Sequence, residues 1–180
     1  MNNIIQKEKP AVNRFTPWIS SLVILPLAIY YTINMGKFTF IDYVNLLIHE
    51  GGHGIFRVFG GYIYTLGGSL MQIIIPSLFV YYYAHIRKKT GFQLSMIWLG
   101  ENLINISVYA ADARTRRLPL LGGNKVYHDW AYLLGRINML EYDDLIGKIF
   151  YFTGIIIFII SLLAPIYIKV KPKPQINLDL

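Results

Sequence analysis

The chain contains no cysteine. That excludes disulfides, iron–sulfur clusters and every zinc site built on thiolate ligands. Charge is also scarce. Asp, Glu, Lys and Arg make up 15% of the 180 residues, where about a quarter is usual. With 54% hydrophobic residues, the chain is neither an ordinary soluble domain nor a disordered one. Acidic residues are the rarer kind: 10 Asp and Glu stand against 17 Lys and Arg, for a net charge of +7. The basic residues flank apolar runs. Anionic lipid headgroups are therefore the expected partner, and nucleic acid is not.

What is present is a series of five apolar segments, which predicts an all-α polytopic membrane protein of four to five transmembrane helices. The first covers 18–35, long enough to cross a hydrocarbon core of ~30 Å. It follows Lys7, Lys9 and Arg14, like a signal peptide. No small-residue cleavage site follows, so it reads as a retained membrane helix, kinked at Pro26. The third covers 66–85 and ends in Tyr81, Tyr82 and Tyr83 before Arg87, Lys88 and Lys89, the signature of a membrane–water interface. The fourth covers 92–113 and the fifth 149–168. One membrane-embedded domain is expected over 18–168, with an amphipathic loop at 114–144. Residues 1–17 are an extra-membrane segment and 169–180 a solvated tail. Basic residues divide almost evenly between the two sides of this arrangement and set no orientation.

The second segment, 38–59, differs from the rest. It carries Asp42, Asn45, His49, Glu50, His53 and Arg57 among Leu, Ile, Val and Phe. An ionisable group at membrane depth costs roughly 2.5–3.5 kcal/mol on insertion scales, so three adjacent ones imply a use. Asp42, Asn45, His49, His53 and Arg57 step by three and four and form one polar stripe on a helix.

His49-Glu50-Gly51-Gly52-His53 is an H-E-x-x-H motif. On a helix, positions i and i+4 share a face, so two imidazoles can bind one zinc ion. Glu50 is then placed as general base on the attacking water. Chance placement of this pattern in such a chain is about 0.2%, given four His and four Glu. The alternative is an interhelical histidine pair with an incidental carboxylate, but a buried Glu beside two His needs a compensating charge. Asp42 or Asn45 is a candidate to orient an imidazole. Gly51 and Gly52 either open room for a substrate or allow close helix packing.

A catalytic zinc takes three protein ligands. The candidates for the third are His128, Asp112 and Asp129. His85 stands amid Arg87, Lys88 and Lys89 and reads as a solvated interface residue. His128 begins an amphipathic run to Leu140 in which Asp129 is placed as N-cap. Asp112 ends a polar stripe of Glu101, Asn105, Tyr109 and Asp112 on the fourth segment. That stripe faces either the metal helix or, at Asp112, an ion pair with Arg114 or Arg116. Ser69, Gln72 and Pro76 share a face of the third segment, where Gln72 holds a substrate carbonyl or bonds a neighbouring helix. Residues 60–68 place five residues of high β-propensity between glycine pairs. They predict either a short edge strand able to hold an extended peptide or an aromatic interfacial loop.

A membrane helix bearing His-Glu-x-Gly-His, followed by Gly67-Gly68-Ser69 with Gln72 and Pro76, resembles the site-2-protease superfamily, and within it the small membrane metallopeptidases. The resemblance covers roughly residues 42–76. It implies a zinc-dependent endopeptidase cleaving a transmembrane protein in or beside the bilayer. The two motif histidines, His49 and His53, would bind zinc, and Glu50 would activate water. The family's usual third ligand is an aspartate followed by glycine on a later membrane helix; Asp112-Ala113 holds the comparable place here. Two other functions fit the same residues: a zinc-dependent hydrolase of a lipid amide or ester, and a non-catalytic membrane scaffold that keeps the motif.

Overall fold

The computed structural model describes residues 15–119 and 127–168. Most of the N-terminal segment 1–17 and the whole tail 169–180 lie outside the described residues. Helix is the only regular structure among the described residues: α1 (Ile19–Ile33), α2 (Phe40–Phe56), α3 (Gly61–His85), α4 (Lys89–Ala111), α5 (Asp129–Arg136), α6 (Asp143–Leu162) and the short α7 (Ala164–Tyr167). The expected fifth segment is split where Pro165, which lacks an N–H, opens α7.

Three stretches are long and apolar enough to cross a membrane: Thr16–Ile33, Gly61–His85 and Leu140–Leu162. They contain α1, α3 and α6. Helices α2 and α4 are not among them, because their polar residues lower their hydropathy. Most of those residues point inward; Glu50 is exposed. Asp42, Asn45, His49, Gly52 and His53 form the buried face of α2. Gln93, Glu101 and Asn102 are buried on α4. Each polar stripe finds its partners on a neighbouring helix, as groups withdrawn from water require.

Helix α4 lies at the centre and packs on α6, α3 and α1. Glycine sets the approach to α6. A Cβ on Gly100 would meet the Phe158 ring at 2.5 Å, and one on Gly154 would meet the Gly100 carbonyl at 2.8 Å. Such close backbones are the way membrane helices gain packing without a hydrophobic driving force. One polar tie joins three helices: Gln93 Nε2 donates to Ser21 Oγ at 2.8 Å and to the Ser161 carbonyl at 3.0 Å.

Helix α2 starts where the backbone N–H of Thr39 donates to Asp42 Oδ2 at 2.6 Å, an N-terminal box that satisfies a first-turn donor. It ends in a 3-10 turn, Arg57–Phe59, and Gly60 reverses the chain into α3 at φ +89°. That left-handed value favours glycine. Residues 61–68 are therefore helical, neither the edge strand nor the loop that their β-propensity suggests. Packing against α2 overrides local preference. A Cβ on Gly52 would stand 2.2 Å from the Gly67 carbonyl, and one on Gly67 would stand 2.7 Å from Phe56 Cβ. Gly51 has nothing within 4 Å of its Cβ position. The two motif glycines thus separate: Gly52 serves packing and Gly51 faces open space.

Helix α5 lies across the end of α4. Trp130, Leu133 and Leu134 pack with Ile106, Ala110 and Ala113 in one cluster. Beside it Arg114 Nε donates to Asp143 Oδ1 at 2.7 Å, and its Nη2 to Asp144 at 3.0 Å. Arg114 is therefore not the partner of Asp112.

Candidate metal centre

His49 and His53 lie one turn apart on the buried face of α2, with ring centroids 4.7 Å apart and planes at 86°. His49 Nε2 is 2.9 Å from Asp129 Oδ2, and His53 Nε2 is 3.2 Å from the same oxygen. The other ring nitrogens are held from behind. His49 Nδ1 lies 2.9 Å from Gln72 Oε1, and His53 Nδ1 lies 2.8 Å from the Tyr64 carbonyl oxygen. A carbonyl only accepts, so each Nδ1 donates. Both Nε2 lone pairs then point at a carboxylate oxygen.

Three acceptors converging in a buried place repel one another unless a positive species lies between them. Protons on the imidazoles or a metal cation serve equally. His49, His53 and Asp129 offer ligand atoms all within 4.8 Å of one another. Tetrahedral ligands at the zinc–nitrogen distance of 2.0–2.1 Å stand roughly 3.3 Å apart. The two separations from Asp129 are close to that, so the residues fit a metal ion with little movement. Burial acts to raise the Asp129 pKa, but hydrogen bonds and positive charge from the two imidazoles, when both ring nitrogens carry protons, outweigh it and hold the group below the usual carboxylate range. The carboxylate is ionised.

The Nδ1 acceptors carry a second tier. Gln72 Nε2 donates to Asn102 Oδ1 and Asn105 Oδ1, each at 3.3 Å. Asn105 Nδ2 donates to Asp42 Oδ1 at 2.7 Å, and Asn45 Nδ2 to Glu101 Oε2 at 2.7 Å. Asp42 and Asn45, expected to orient an imidazole, instead tie α2 to α4. Gln72 takes the orienting task and bonds a neighbouring helix as well. The Tyr64 carbonyl has no signal in the sequence, since any residue could supply it.

The expected third-ligand candidates part company. Asp129, not His128 or Asp112, meets the histidine pair. Asp129 is the first residue of α5, and the N-cap is His128, whose Nδ1 accepts from Ala131 N–H at 3.3 Å. With the cap filled by its neighbour, the Asp129 carboxylate is free to turn toward α2. Asp112 stays at the end of α4. Its Oδ1 accepts from the Thr115 hydroxyl and from Arg117 N–H, and its Oδ2 from Leu118 N–H. His128 Nε2 lies 3.4 Å from Asp112 Oδ2. Glu101, Asn105 and Tyr109 do face the metal helix, as the polar stripe on α4 suggested.

Glu50 is exposed rather than buried. It stands beside His49 and lines the same cavity as His49, His53 and Asp129. That cavity measures about 430 Å³ and runs on past Tyr64, Leu118 and Tyr127. Because Glu50 is exposed there, its charge is not enclosed within the helix packing.

No protein-family model, curated protein or solved structure matches the chain.

Proposed function

We propose that this chain is a zinc-dependent membrane endopeptidase that hydrolyses a peptide bond in or beside the bilayer. The observation that carries the reading is the convergence of His49, His53 and Asp129 at the wall of a cavity that Glu50 also lines. The motif's resemblance to the site-2-protease superfamily supports it. His49, His53 and Asp129 would hold the ion. A nitrogen- and carboxylate-based set without thiolate suits zinc. Zinc held there supplies Lewis acidity and brings the pKa of water toward neutrality. Gln72 and the Tyr64 carbonyl fix the two rings. Glu50 takes the proton of the attacking water and returns it to the leaving amine. The cavity has the size of a small-ligand site. A helical substrate would unwind locally, because its carbonyls are occupied by backbone hydrogen bonds.

The membrane setting is part of the same reading. We infer that α4 crosses with α1, α3 and α6, since it is enclosed by all three and a central helix shares the depth of its neighbours. The protein would then be a multi-pass integral membrane protein with lipids around its outer apolar faces and a transmembrane protein as substrate. Elemental analysis of the detergent-purified chain beside His53→Ala tests the metal. Zinc at about one per chain, lost in the variant, is the expected result. No metal in the wild type, with zinc offered and chelators absent, overturns the reading.

A further inference from the structure

We propose that His128, Asp112 and Tyr109 form a positioning clamp that fixes the start of α5 and so presents Asp129 to the histidine pair. The inference rests on the zinc reading of that pair. Helix α5 is only eight residues long and packs on α4 and α3. Its first turn meets the end of α4 at two points, one a hydrogen bond and one an electrostatic contact.

The first point is Tyr109, whose hydroxyl oxygen accepts the backbone N–H of Asp129 at 3.1 Å. The second is His128. Its Nδ1 accepts the Ala131 N–H, so in the neutral ring the proton sits on Nε2. That nitrogen lies 3.4 Å from Asp112 Oδ2, an electrostatic contact without hydrogen-bond geometry, and among the described residues it is a buried polar atom with no hydrogen-bond partner. Asp112 is itself fixed by two backbone N–H groups and a hydroxyl from residues 115–118. The Tyr109 ring lies over the His128 imidazole at 4.3 Å. The same tyrosine thus touches both residues of the pair His128–Asp129. A plain N-cap needs only a side-chain acceptor, and Asn or Ser would serve. A buried imidazole reaching a second carboxylate is more than capping requires. What it adds is an orientation for α5 about the α4 axis, and Asp129 is the group whose position that orientation sets.

The test uses the full-length chain in detergent, with Zn²⁺ titrated against a chromophoric chelator and Co²⁺ as a visible reporter of ligand geometry. His128→Asn keeps a capping acceptor and cannot reach Asp112. Tyr109→Phe keeps the ring and removes the oxygen that holds Asp129. Each is expected to weaken zinc roughly 10–100-fold, the range for residues that orient metal ligands, and to alter the Co²⁺ absorption bands. Thermal unfolding of the metal-free proteins separates this from lost stability. Folded variants with wild-type zinc affinity and unchanged Co²⁺ bands overturn the clamp, even if their unfolding temperature falls. If His128→Asn does not fold, Tyr109→Phe decides by the same two readouts. A wild-type chain that binds neither metal overturns the zinc reading and the clamp with it, whereas a wild type that binds both, with indifferent variants, sinks the clamp alone.

Discussion

Gly68 on α3 lies directly against the His49 imidazole: a Cβ there would come within 2.6 Å of both Nε2 and Cε1. The glycine is required by the ring, and the ring is held at the cavity wall by that lack of a side chain. Gly68→Ala must therefore displace His49 or open the α2–α3 contact. Overpacking of this kind typically costs about 1–3 kcal/mol. The expected outcome is a lower unfolding temperature together with weakened zinc binding. Gly51→Ala, where the space is open, is the control: zinc binding should be unchanged and the unfolding temperature should not fall, since Ala is favoured over Gly inside a helix by up to about 1 kcal/mol. Loss of stability with full metal affinity would show that α3 yields and the ring does not.

Gln72 makes the second testable point. Its Oε1 is the acceptor for His49 Nδ1, and its amide is itself tied to Asn102 and Asn105. Gln72→Ala leaves a buried Nδ1–H without a partner and lets the ring turn. Zinc affinity should fall roughly 10–100-fold. Gln72→Glu restores an acceptor and should recover most of it. Titration against a chelator measures both, and equal affinities in all three proteins would remove Gln72 from the site.

These relationships show what a sequence can and cannot disclose. The stripe of Asp42, Asn45, His49 and His53 was legible, because helical spacing alone places the four on one face. So was the inward stripe of Glu101, Asn105 and Tyr109, because polar groups on an apolar helix must find protein. The start of α3 was not. Residues 62–66 favour β-structure locally, and only contacts with α2, distant in kind from any local preference, make them helical. Asp129 was legible as a candidate but looked like a cap. Its exchange of roles with His128 depends on contacts between α5 and the end of α4, such as that of Asp129 with Tyr109, 20 residues away in sequence. The 80-residue separation of His49 from Asp129 carries no spacing signal at all.

The third ligand can be assigned by grading three substitutions. Asp129→Ala removes a donor from the cluster and should abolish stoichiometric zinc. Asp112→Ala removes only the partner of His128 and the brace of residues 115–118, so zinc should be weakened and still bound. His85→Ala should do nothing, since His85 stacks on Tyr81 at the far end of α3. Zinc retained in Asp129→Ala and lost in Asp112→Ala would exchange their roles.

Acidity should release the metal. Ligand imidazoles must present a lone pair, so protons compete with zinc at His49 and His53. The sign is fixed: the hydrogen bond to Asp129 raises the His53 pKa above its ordinary value, so protons compete with the metal there and affinity falls as pH drops. Each proton that must leave a ligand to make way for zinc adds roughly 10-fold per pH unit to the loss. Zinc affinity measured from pH 8 to pH 5.5 should therefore fall toward acid. A flat profile would mean that the histidines are not the ligands.

Glu50 separates catalysis from scaffolding. It faces the cavity, exposed, one residue from His49, and touches none of the ligand hydrogen bonds among the described residues. Glu50→Gln keeps its shape and takes away the base. Zinc content and unfolding temperature should match the wild type, while cleavage of a reconstituted transmembrane peptide falls by ~10²–10⁴-fold, the usual worth of a positioned general base. A lipid hydrolase would show the same loss on a lipid amide or ester and would leave the peptide untouched in both proteins. A scaffold would show no loss at all: Glu50→Gln would complement a deletion strain as well as the wild type. The three outcomes differ in which bond responds to one carboxylate, so a single pair of proteins assayed on peptide, lipid and complementation distinguishes them.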